Sequence, residues 1–560
     1  MCSPFGGVFL GGVDSISAKL EVWTEMLKED FDRVFLLSGI EFGFRISDLS
    51  VEDCASVKMV SCRNHSSAIF YGDKVEIELI RQIQSGCYVM ASEPPLIVSP
   101  LGAIPKEGSD DVRIIHDGSI PQGEAMNDYC DKTSVCYETL DQASKLAKPN
   151  WFMAKVDLKS AYRSVPIHPA DYCLSGLQWD FQGEKESCYL FDTRLPFGSR
   201  LAPGIFHRIT QSVKRHMVRL GFVHIVVYLD DFLVLAETYA ECLKAQHALI
   251  SLLGSLGFCV SWHKVLGPSQ KLPFLGIVIN TCQCTLSLDS KKVCVLEDRL
   301  RAFSGKVRSS KRQLQALAGL LNWACSAVRG GRFFLRRVIN AINCLKLANH
   351  KCRLSFQFKK DILWWLSYLR SFNGVVYYRE CAKLVVHTDA SQVGAGMFHA
   401  GDWHYTNWSV DYPSMVDSHI NNKEVMAVMI AADKWAPSWK NCDVTVLTDS
   451  IVAKSVINKG TCRNTQVMSA LRHFFWLSVK YNFRLKAIHM PGKLNQLPDA
   501  ISRLDCAGEV LRLHSLLANW YHVQQSCLNI EWTKHMSSGS FQMIQPSLRL
   551  WDYRLNYPMK

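Results

Sequence analysis

The chain has 560 residues, 48% of them hydrophobic and 20% charged, with 63 Lys and Arg against 51 Asp and Glu. This composition excludes wholesale disorder, collagen-like repeats and coiled coils. At roughly 100–200 residues per domain, the length predicts three or four domains. The sequence contains no long uninterrupted apolar run, and no basic stretch precedes the first apolar residues. We therefore expect neither a membrane span nor a secretory signal.

The number and spacing of the cysteines indicate the redox environment of the chain. The 21 Cys residues are scattered, and no C-x-x-C pair occurs. An odd number of Cys spread through apolar stretches is typical of a reduced, intracellular chain rather than a disulfide framework. Zinc-finger and zinc-knuckle spacings are missing, so we expect no structural metal. The pattern does not distinguish cytoplasm from nucleus.

Positive charge is concentrated in one segment. Residues 301–360 contain 14 Lys and Arg and no Asp or Glu, so the remaining 500 residues carry −2 of the net +12. A single-sign field of this size favours a polyanionic partner, and nucleic acid is the commonest polyanion. A solvated helical face is the alternative interpretation. The candidate nucleic-acid contacts are the clustered arginines of this segment: Arg329, Arg332, Arg336 and Arg337.

Hydrophobic periodicity and turn residues predict the elements in chain order. Residues 1–70 contain a helical pattern around Trp23 and Gly-rich pieces of unclear role. The Pro-punctuated segment that begins at Ser92 predicts short strands joined by turns. A strand that ends at Asp157 follows. After a helix, the sequence IVVYLDDFLVLA has the pattern of a β-hairpin with two Asp at its tip.

The predicted secondary structure changes twice along the second half of the chain. Residues 290–370 have helical periodicity, interrupted by the pair Gly330 and Gly331. From residue 383 the order strand, strand, helix, strand, helix predicts a mixed α/β domain up to residue 505. Residues 506–560 contain several helical turns followed by irregular sequence without a recognisable motif.

Three carboxylates end apolar strands: Asp157, Asp230 and Asp231. Clustered carboxylates repel one another unless cations neutralise them. Hard oxygen ligands suit Mg²⁺, with Mn²⁺ as the alternative ion. Two such ions about 3.5–4 Å apart can activate a 3′-hydroxyl and stabilise a leaving pyrophosphate. The alternative is that Asp-Asp only makes a hairpin turn, where Asp is common.

The motifs around these carboxylates resemble those of reverse transcriptases. MAKVDLKSAY, LPFGSRLAPGIF and YLDDFL follow the order of the family's palm motifs, and SPLGAIPK with VRIIHD resembles its fingers. Together with LQALAGLLNWA and RFFLRRVI, the resemblance covers roughly residues 75–350. It implies that Asp157, Asp230 and Asp231 bind two catalytic Mg²⁺ ions.

The same resemblance implies how the incoming nucleotide is held. Lys106 and Arg113 would bind its triphosphate, which agrees with the general preference of phosphate for Lys and Arg. Tyr162, five residues after Asp157, would be the aromatic gate against a ribose 2′-hydroxyl.

Three further positions follow from the resemblance. Phe197 and Gly198 would pack on the nucleotide and template, and Lys264 would protonate the leaving pyrophosphate. A solvated surface lysine is an equal alternative for Lys264. The family usually has Leu after the fingers Asp, whereas this chain has Gly118. That departure concerns local packing rather than chemistry.

A second set of carboxylates recurs at intervals of 35, 25 and 50 residues: Asp389, Glu424, Asp449 and Asp499. Two of them end apolar strands, and the other two lie in helical or irregular stretches. They can therefore converge over a mixed sheet as a two-metal site that places water for phosphodiester hydrolysis. The alternative is a set of unrelated surface acids.

These contexts resemble ribonuclease H, with D…E…D…D in the family's order. HMPGKLNQLPD resembles the last motif of the family, in which His489 would assist turnover from a mobile loop. A structural or exposed histidine is the alternative, although titration near neutral pH suits such a role. The family commonly has Ala where this chain has Pro498. Pro removes a donor and restricts the preceding residue, which predicts a slightly displaced Asp499.

The two resemblances together imply an α+β multidomain chain. A right-hand polymerase with fingers, palm and helical thumb is followed by a mixed α/β ribonuclease H-like domain. The predicted parts are an N-terminal segment of unclear role (1–70), fingers and palm (71–289), a basic helical thumb and connection (290–375), the ribonuclease H-like domain (383–505) and a C-terminal tail (506–560).

The chain as a whole resembles a retroelement Pol fragment, and YLDDFLVLA, LNWA and HINNKE are similar to DIRS-type and gypsy-type retrotransposons. The resemblance implies an RNA-directed DNA polymerase with ribonuclease H activity. Its partners would be RNA template, DNA primer, dNTPs and RNA–DNA hybrid, without a membrane. The alternative is a catalytically degenerate or domesticated protein that only binds nucleic acid, to which the tail, Gly118 and Pro498 lend some weight.

Overall fold

The structure is a computed structural model that describes residues 15–54, 57–106, 110–131, 134–506 and 508–528. These residues form two compact units. The first contains the described residues up to 286 together with 376–378, and the second contains 287–375 and the described residues from 379 onward. The irregular end of the predicted C-terminal tail lies outside the described residues.

The first half of the chain alternates short strands and helices. Its helices are α1 (Leu20–Met26), α2 (Arg33–Phe42), α3 (Val51–Cys54), α4 (Ser66–Phe70), α5 (Gly72–Gln84), α6 (Leu140–Leu146), α7 (Ala202–Arg219) and α8 (Tyr239–Ser255). Its strands are β1 (Val60–Ser61), β2 (Tyr88–Met90), β3 (Ile97–Val98), β4 (Leu101–Pro105), β5 (Val112–His116), β6 (Phe152–Asp157), β7 (Gly176–Trp179), β8 (Cys188–Asp192), β9 (Ile225–Tyr228), β10 (Asp231–Ala236), β11 (Leu266–Ser269), β12 (Lys271–Phe274), β13 (Ile277–Asn280) and β14 (Thr285–Ser287).

The central sheet of the first unit has the strand order β11-β6-β10-β9. Strand β10 is antiparallel to both β6 and β9, which confirms the hairpin predicted for IVVYLDDFLVLA. The register sets Asp231 directly opposite Asp157. Helices α7 and α8 pack against this sheet, and the apolar strand residues are buried beneath them. The strand ends that carry the predicted carboxylates therefore lie side by side.

The N-terminal segment belongs to the same core. Ile16, Trp23 and Leu36 are fully buried in the cluster formed by the central sheet with α7 and α8. The indole Nε1 of Trp23 donates a hydrogen bond to the carbonyl of Leu256 at 3.0 Å. This segment therefore does not form a compact unit of its own, because its apolar face is buried against the central sheet with α7 and α8.

Replacing Trp23 with Ala should lower the free energy of unfolding of the first unit by about 3–5 kcal/mol, because a fully buried indole is removed. Urea unfolding, followed by the far-ultraviolet circular dichroism of the backbone, measures this loss of stability. The control is Trp262→Ala, whose side chain is 68% exposed and which should change stability by no more than about 0.5 kcal/mol. Equal stability of the two variants would contradict a structural role for residues 15–46.

A second sheet lies in the fingers part of the first unit. It has the order β1-β3-β7-β8-β2, and β4 and β5 form a separate antiparallel pair. Helix α5 contributes Val75 and Leu79 to the small core that covers these strands. The short strands predicted for the Pro-punctuated segment are thus confirmed as β3, β4 and β5.

The second half of the chain is more helical at its start. Its helices are α9 (Ser290–Ser304), α10 (Lys311–Ala324), α11 (Arg336–Asn343), α12 (Phe356–Tyr368), α13 (Trp408–Asp411), α14 (Ile420–Trp435), α15 (Ile451–Lys459), α16 (Thr465–Lys480), α17 (Gln496–Ser502) and α18 (Glu509–Leu528). Its strands are β15 (Arg308–Ser310), β16 (Lys351–Arg353), β17 (Val375–Val376), β18 (Lys383–Ala390), β19 (Gly394–His399), β20 (Asp402–Asn407), β21 (Asp443–Thr448) and β22 (Arg484–His489).

A five-stranded mixed sheet organises the second unit, in the order β20-β19-β18-β21-β22. Strands β18, β21 and β22 run parallel, while β19 and β20 are antiparallel to their neighbours. Helix α14 is buried along most of its length against this sheet. The mixed α/β arrangement predicted for residues 383–505 is confirmed. Because β18 and β21 are parallel, their carboxyl ends open at the same edge.

The basic segment is not a separate body from this sheet. Phe334 stacks on Trp364 of α12 with ring centroids 3.9 Å apart, and Phe475 of α16 contacts both rings. The predicted boundary between 375 and 383 therefore does not separate two compact units, since buried aromatic rings join the two segments. The segment also contains the antiparallel pair β15 and β16, which the helical pattern did not predict.

Helix α18 extends the second unit beyond the predicted domain end at 505. Its residues Leu513, Leu516 and Trp520 pack with Phe398 of β19 and Ile501 of α17. Across the described part of the chain, every helix is too short or too polar to span a membrane.

Candidate active sites

The first candidate site lies at the tip of the β9–β10 hairpin. Asp157 ends β6, and Asp231 begins β10 opposite it. Asp230 lies in the turn that joins β9 to β10. Leu229, in that turn, has a φ of +52°, a left-handed conformation that lets the chain reverse within two residues. The NH of Leu158 donates to the carbonyl of Asp230 at 3.1 Å, which links the turn to β6. All three predicted carboxylates are brought together.

Two lysines neutralise this cluster. Lys264 Nζ lies 2.9 Å from Asp157 Oδ1. Lys155 Nζ lies 2.7 Å from Asp231 Oδ1 and 4.0 Å from Asp157 Oδ2. Sequence reasoning missed Lys155. The signal was present, because a residue two positions before Asp157 on the same strand shares its face of the sheet.

Burial and mutual repulsion affect how readily these carboxylates ionise. Burial raises the pKa of Asp231 to about 6, against the lowering effect of Lys155. Burial also raises the pKa of Asp230 above its ordinary value, with the charge of Asp157 adding to the effect. Carboxylates that keep their protons so readily are poised to exchange those protons for a bound cation. The site therefore fits a divalent metal.

An open cavity of about 950 Å³ adjoins the hairpin tip, and its walls bring most of the predicted nucleotide-binding residues together. Lys106 and Arg113 line it from the β4–β5 pair, and Lys264 lines it near Asp230. The cavity also contains Lys159, which sequence reasoning did not single out. Arg163 also lines the cavity, so five cationic side chains outnumber the three carboxylates there and create a favourable field for a polyphosphate.

An aromatic platform forms one wall of this cavity. Tyr162 stacks on Phe197 with ring centroids 5.0 Å apart and planes 25° from parallel. The guanidinium of Arg113 lies 5.6 Å from the centre of the Phe197 ring. Burial raises the pKa of Tyr162 above its ordinary value, so its hydroxyl stays neutral.

The glycines next to this platform are required by close backbone contacts. Gly198 has a φ of +139°, and a Cβ there would lie 1.6 Å from the carbonyl oxygen of His116. Gly118, the departure from the family pattern, faces the Met126 side chain, where a Cβ would come within 2.4 Å of its methyl group. Gly118 is therefore the residue that fits the packing of this chain. Gly198 itself does not line the cavity.

The second candidate site lies at the open edge of the mixed sheet. Asp389 belongs to the end of β18, Asp449 follows β21, and Glu424 projects from α14. One carboxylate oxygen from each of these residues lies within 4.8 Å of the other two. Ser502 Oγ donates to Asp389 Oδ2 at 2.7 Å and orients that carboxylate. Ser502 had no recognisable signal in the sequence.

These three carboxylates fit a divalent cation. Glu424 Oε2 is buried and has no hydrogen-bond partner among the described residues. Burial raises the pKa of Glu424 to about 9 and that of Asp389 to about 7, and the neighbouring carboxylates add to both shifts. A cation supplies the missing partner and removes the repulsion.

Asp499 is placed differently from the other three. Arg503 Nε contacts its Oδ1 at 2.8 Å, and Arg512 Nη1 contacts its Oδ2 at 2.9 Å. Pro498 lies in the first turn of α17, where its missing NH breaks no helical hydrogen bond. Three of the four predicted carboxylates thus meet within 4.8 Å. Asp499 is near enough for its charge to help raise the pKa of Asp389, but ion pairs engage its own oxygens.

His489 ends β22 beside Thr448, which precedes Asp449, and its side chain is exposed. The loop that follows passes close to Asp449, because a Cβ on Gly492 would lie 3.0 Å from Asp449 Oδ2. Asn495 Nδ2 donates to the carbonyl of Thr388 at 2.9 Å and ties the loop to β18. His489 is therefore at the correct edge of the sheet, without a contact to the carboxylates.

Without metal, the second unit should lose stability as pH rises from about 4 to about 9. The folded pKa values of Asp389 (about 7) and Glu424 (about 9) exceed the unfolded values of 3.8 and 4.5, so the folded state holds more protons in this interval. Melting temperatures in EDTA measure the effect, and added Mn²⁺ should raise them more at pH 8.5 than at pH 6. Glu424→Gln should flatten the pH dependence, whereas the exposed Glu380→Gln should not. An unchanged slope in Glu424→Gln would contradict the assignment.

Two of the four predicted nucleic-acid contacts are engaged inside the protein. Arg329 Nη2 donates to the carbonyls of Ser478 at 2.7 Å and Phe483 at 3.3 Å. Burial lowers the pKa of Arg329, with nearby arginines adding to the effect. These hydrogen bonds join the basic segment to α16, and contact of Arg329 with nucleic acid stays a prediction.

The other three arginines differ from one another. Arg337 donates to the buried carboxylate of Asp361 at 2.5 Å, and its contact with nucleic acid stays a prediction. Arg336 Nε donates to Asn340 at 3.0 Å, and its side chain remains partly exposed. Arg332 is exposed. Some of the positive charges of residues 301–360 are therefore engaged in contacts inside the protein, which the net charge of the segment cannot show.

The sequence of this chain is similar to those of known proteins over part of its length. Residues 105–279 match the family model of reverse transcriptase (RNA-dependent DNA polymerase). The chain is 25% identical over 245 residues to the Gag-Pol polyprotein of Avian reticuloendotheliosis virus, a match that covers 42% of this chain and 20% of the polyprotein. It is 27% identical over 246 residues to the Gag-Pol polyprotein of Koala retrovirus, covering 43% and 14%. The match thus spans a fifth or less of these relatives.

A solved structure extends the likeness to the second unit. The foamy viral protease-reverse transcriptase in complex with dsDNA has a TM-score of 0.50 and 15% identity, covering 84% of this chain and 96% of that one. At this identity the likeness shows the fold alone, and it confirms the predicted polymerase fold with a further α/β domain after it. Since the residues matched by the family model, 105–279, include Asp157, Asp230 and Asp231, the chain contains a reverse transcriptase domain of the retroviral Pol type.

Proposed function

We propose that this chain is an RNA-directed DNA polymerase with ribonuclease H activity, from a retrotransposon of the DIRS or gypsy type. One observation carries the polymerase part. Asp157 and Asp231 are paired across β6 and β10, and Asp230 between them lines the cavity that also contains Lys106 and Arg113. A carboxylate cluster beside a cationic cavity is the arrangement that nucleotidyl transfer requires.

In the proposed polymerase, the three carboxylates would hold two Mg²⁺ ions, which would supply activation of the primer 3′-hydroxyl and charge stabilisation for the leaving pyrophosphate. Lys106 and Arg113 bind the triphosphate. Lys264 and Lys155 hold the carboxylates in place through ion pairs until cations replace them. Lys264, which is half exposed and lines the cavity, can then turn toward the pyrophosphate and donate a proton.

Nucleotide selection rests on the aromatic platform. The Tyr162 ring stacks on Phe197 beside the cavity, and its plane can meet the sugar of an incoming nucleotide. A 2′-hydroxyl would collide with this ring, whereas a deoxyribose would fit against it. Gly198 sets the platform by allowing the backbone to approach His116 closely.

In the proposed nuclease, Asp389, Glu424 and Asp449 would hold the cations, which would supply an activated water for phosphodiester hydrolysis. Ser502 orients Asp389. Asp499 joins the site when a substrate or cation draws it from Arg503 and Arg512, and His489 acts from the same edge of the sheet. The substrate is the RNA strand of an RNA–DNA hybrid, whose A-form geometry can be bound through its backbone.

The proposed substrates are an RNA template, a DNA primer and dNTPs. The solved relative with the same fold contains dsDNA, which supports a duplex as the ligand of this chain. Arg332 keeps exposed charge for such a backbone.

Primer extension tests the proposal. The purified chain, given a primed RNA template, dNTPs and Mg²⁺, should extend the primer, and it should degrade the RNA of a preformed hybrid in a separate reaction. EDTA should stop both reactions. A chain that binds the primed template in a filter assay but neither extends nor cleaves it with Mg²⁺ or Mn²⁺ would instead be a catalytically degenerate nucleic-acid-binding protein.

A further inference from the structure

The second unit contains a cavity that neither candidate active site uses. Its volume is about 600 Å³, and it lies between α11, α12, β16 and the start of α16. None of the carboxylates of the candidate nuclease site lines it.

The cavity is strongly basic. Its lining includes six cationic side chains and one carboxylate: Arg336, Arg337, Arg353, Lys360, Arg463, Arg472 and Asp361. Asp361 is already engaged, because Arg337 contacts it at 2.5 Å and Arg472 at 3.3 Å. The buried carboxylate of Asp361 is therefore not available to neutralise the other four cationic side chains.

Four of the cations remain available to a ligand. Within the described part of the chain, Arg336, Arg353, Lys360 and Arg463 form no ion pair. Arg353 and Arg463 are exposed at the rim, while Arg336 and Lys360 are partly buried. Positive charge without counter-charge in a concave, partly desolvated site is an electrostatic sink for anions.

Part of the remaining wall is apolar and aromatic, and part is polar, with Asn340, Gln357 and Thr465 among its residues. Phe334, Phe358, Met468 and Trp476 contribute to the apolar part. The volume corresponds to a small-molecule pocket, which admits one or two nucleotides but not a duplex. Flat apolar walls that can contact a base, together with arginines at the rim, combine the two features used to bind unpaired nucleic acid.

We propose that this cavity binds phosphate groups of an unpaired nucleic-acid strand, with Arg336, Arg353, Lys360 and Arg463 as the contacting cations. The same chemistry would accept a free nucleotide or inorganic polyphosphate. The choice of a strand rests on the proposed function, in which cleavage of the hybrid leaves unpaired strands at this unit.

Three cysteines line the cavity and report on its occupancy: Cys344, Cys352 and Cys462. Cys344 is exposed and the other two are partly buried, so an alkylating reagent can reach them. The experiment measures iodoacetamide labelling of each thiol by peptide mass spectrometry, in EDTA and without dNTPs. The probes are a ten-nucleotide oligo(dT) and, separately, inorganic tripolyphosphate. Cys282, exposed in the first unit, is the reference thiol.

We expect oligo(dT) to slow labelling of Cys344 and Cys462 by fivefold or more, with Cys282 unaffected. The double variant Arg353→Gln, Arg463→Gln should lose this protection. Each single variant, Arg353→Gln or Arg463→Gln, should keep a measurable protection constant, and its slope of log K against log salt should fall by about 0.7, which is one phosphate contact on a single strand. The matched control is Arg308→Gln, Lys346→Gln, which removes two exposed charges of the same segment outside the cavity.

The outcomes separate the sources of phosphate. Protection by oligo(dT) but not by tripolyphosphate supports a strand, and protection by both supports phosphate recognition in general. Protection by neither probe, or protection that survives in the cavity variant, overturns the proposal. Because labelling is measured without catalysis, an inactive polymerase would leave this result intact, and an active polymerase could still show no protection.

Discussion

Changing both Asp230 and Asp231 to Asn should abolish primer extension, with a loss of at least about 10³-fold in rate. Asn has the size of Asp but no charge, so the hairpin can form while the cation ligands are lost. Asp231 lies directly opposite Asp157, and Asp230 holds β6 through its backbone carbonyl. The variant therefore removes two of three charges from an otherwise intact tip. Gel-based extension of a labelled primer measures the loss.

Two controls make this result specific. Asp141→Asn changes an exposed carboxylate of the same unit and should leave extension within twofold of the parent chain. The double variant should also keep its ability to degrade the RNA of a hybrid, because the second carboxylate group lies in the other compact unit. Primer extension that survives in the double variant would contradict the assignment of Asp230 and Asp231 to the polymerase site.

Asp389→Asn should have the opposite selectivity, with hybrid cleavage lowered by at least about 10³-fold and primer extension retained. Asp389 is one of the three carboxylates whose oxygens meet within 4.8 Å, and Ser502 orients it from α17. The substitution removes a charge that a cation would need, yet it also relieves the repulsion that raises the pKa of Glu424. The folded unit should therefore be at least as stable as the parent.

Thermal unfolding of Asp389→Asn in EDTA checks that point, and release of labelled RNA from a hybrid measures the activity. Asp417→Asn, an exposed carboxylate of the same unit, is the control and should cleave normally. Simultaneous loss of cleavage and extension in Asp389→Asn would mean that the two activities do not reside in separate sites.

Local patterns were sufficient for the strands that carry the first site. Apolar runs that end in Asp predicted both the hairpin and the strand before it, since a strand buried on its faces has an apolar pattern readable without any partner. The pattern did not show Lys155 as a neutraliser, although its spacing from Asp157 would have allowed it.

Other features depended on contacts that are distant in sequence. Trp23 is buried against residues more than two hundred positions away, so its periodicity indicated a helix but not which core would receive it. The sequence predicted a solvated or nucleic-acid-binding face for Arg329, and only the structure shows that the carbonyls of Ser478 and Phe483 accept hydrogen bonds from its guanidinium. Likewise, only the fold shows that ion pairs engage the oxygens of Asp499.

The amino-acid sequence by itself determined the motifs, the strand and helix periods and the concentration of positive charge, because each of these depends on neighbours along the chain. The tertiary structure decided which charges are already paired and which remain for a ligand. It does so because ion pairing and desolvation depend on groups brought within a few ångströms by folding. The 14 positive charges of residues 301–360 illustrate this difference. Some of them hold the second unit together, and others surround a cavity that lacks counter-charge.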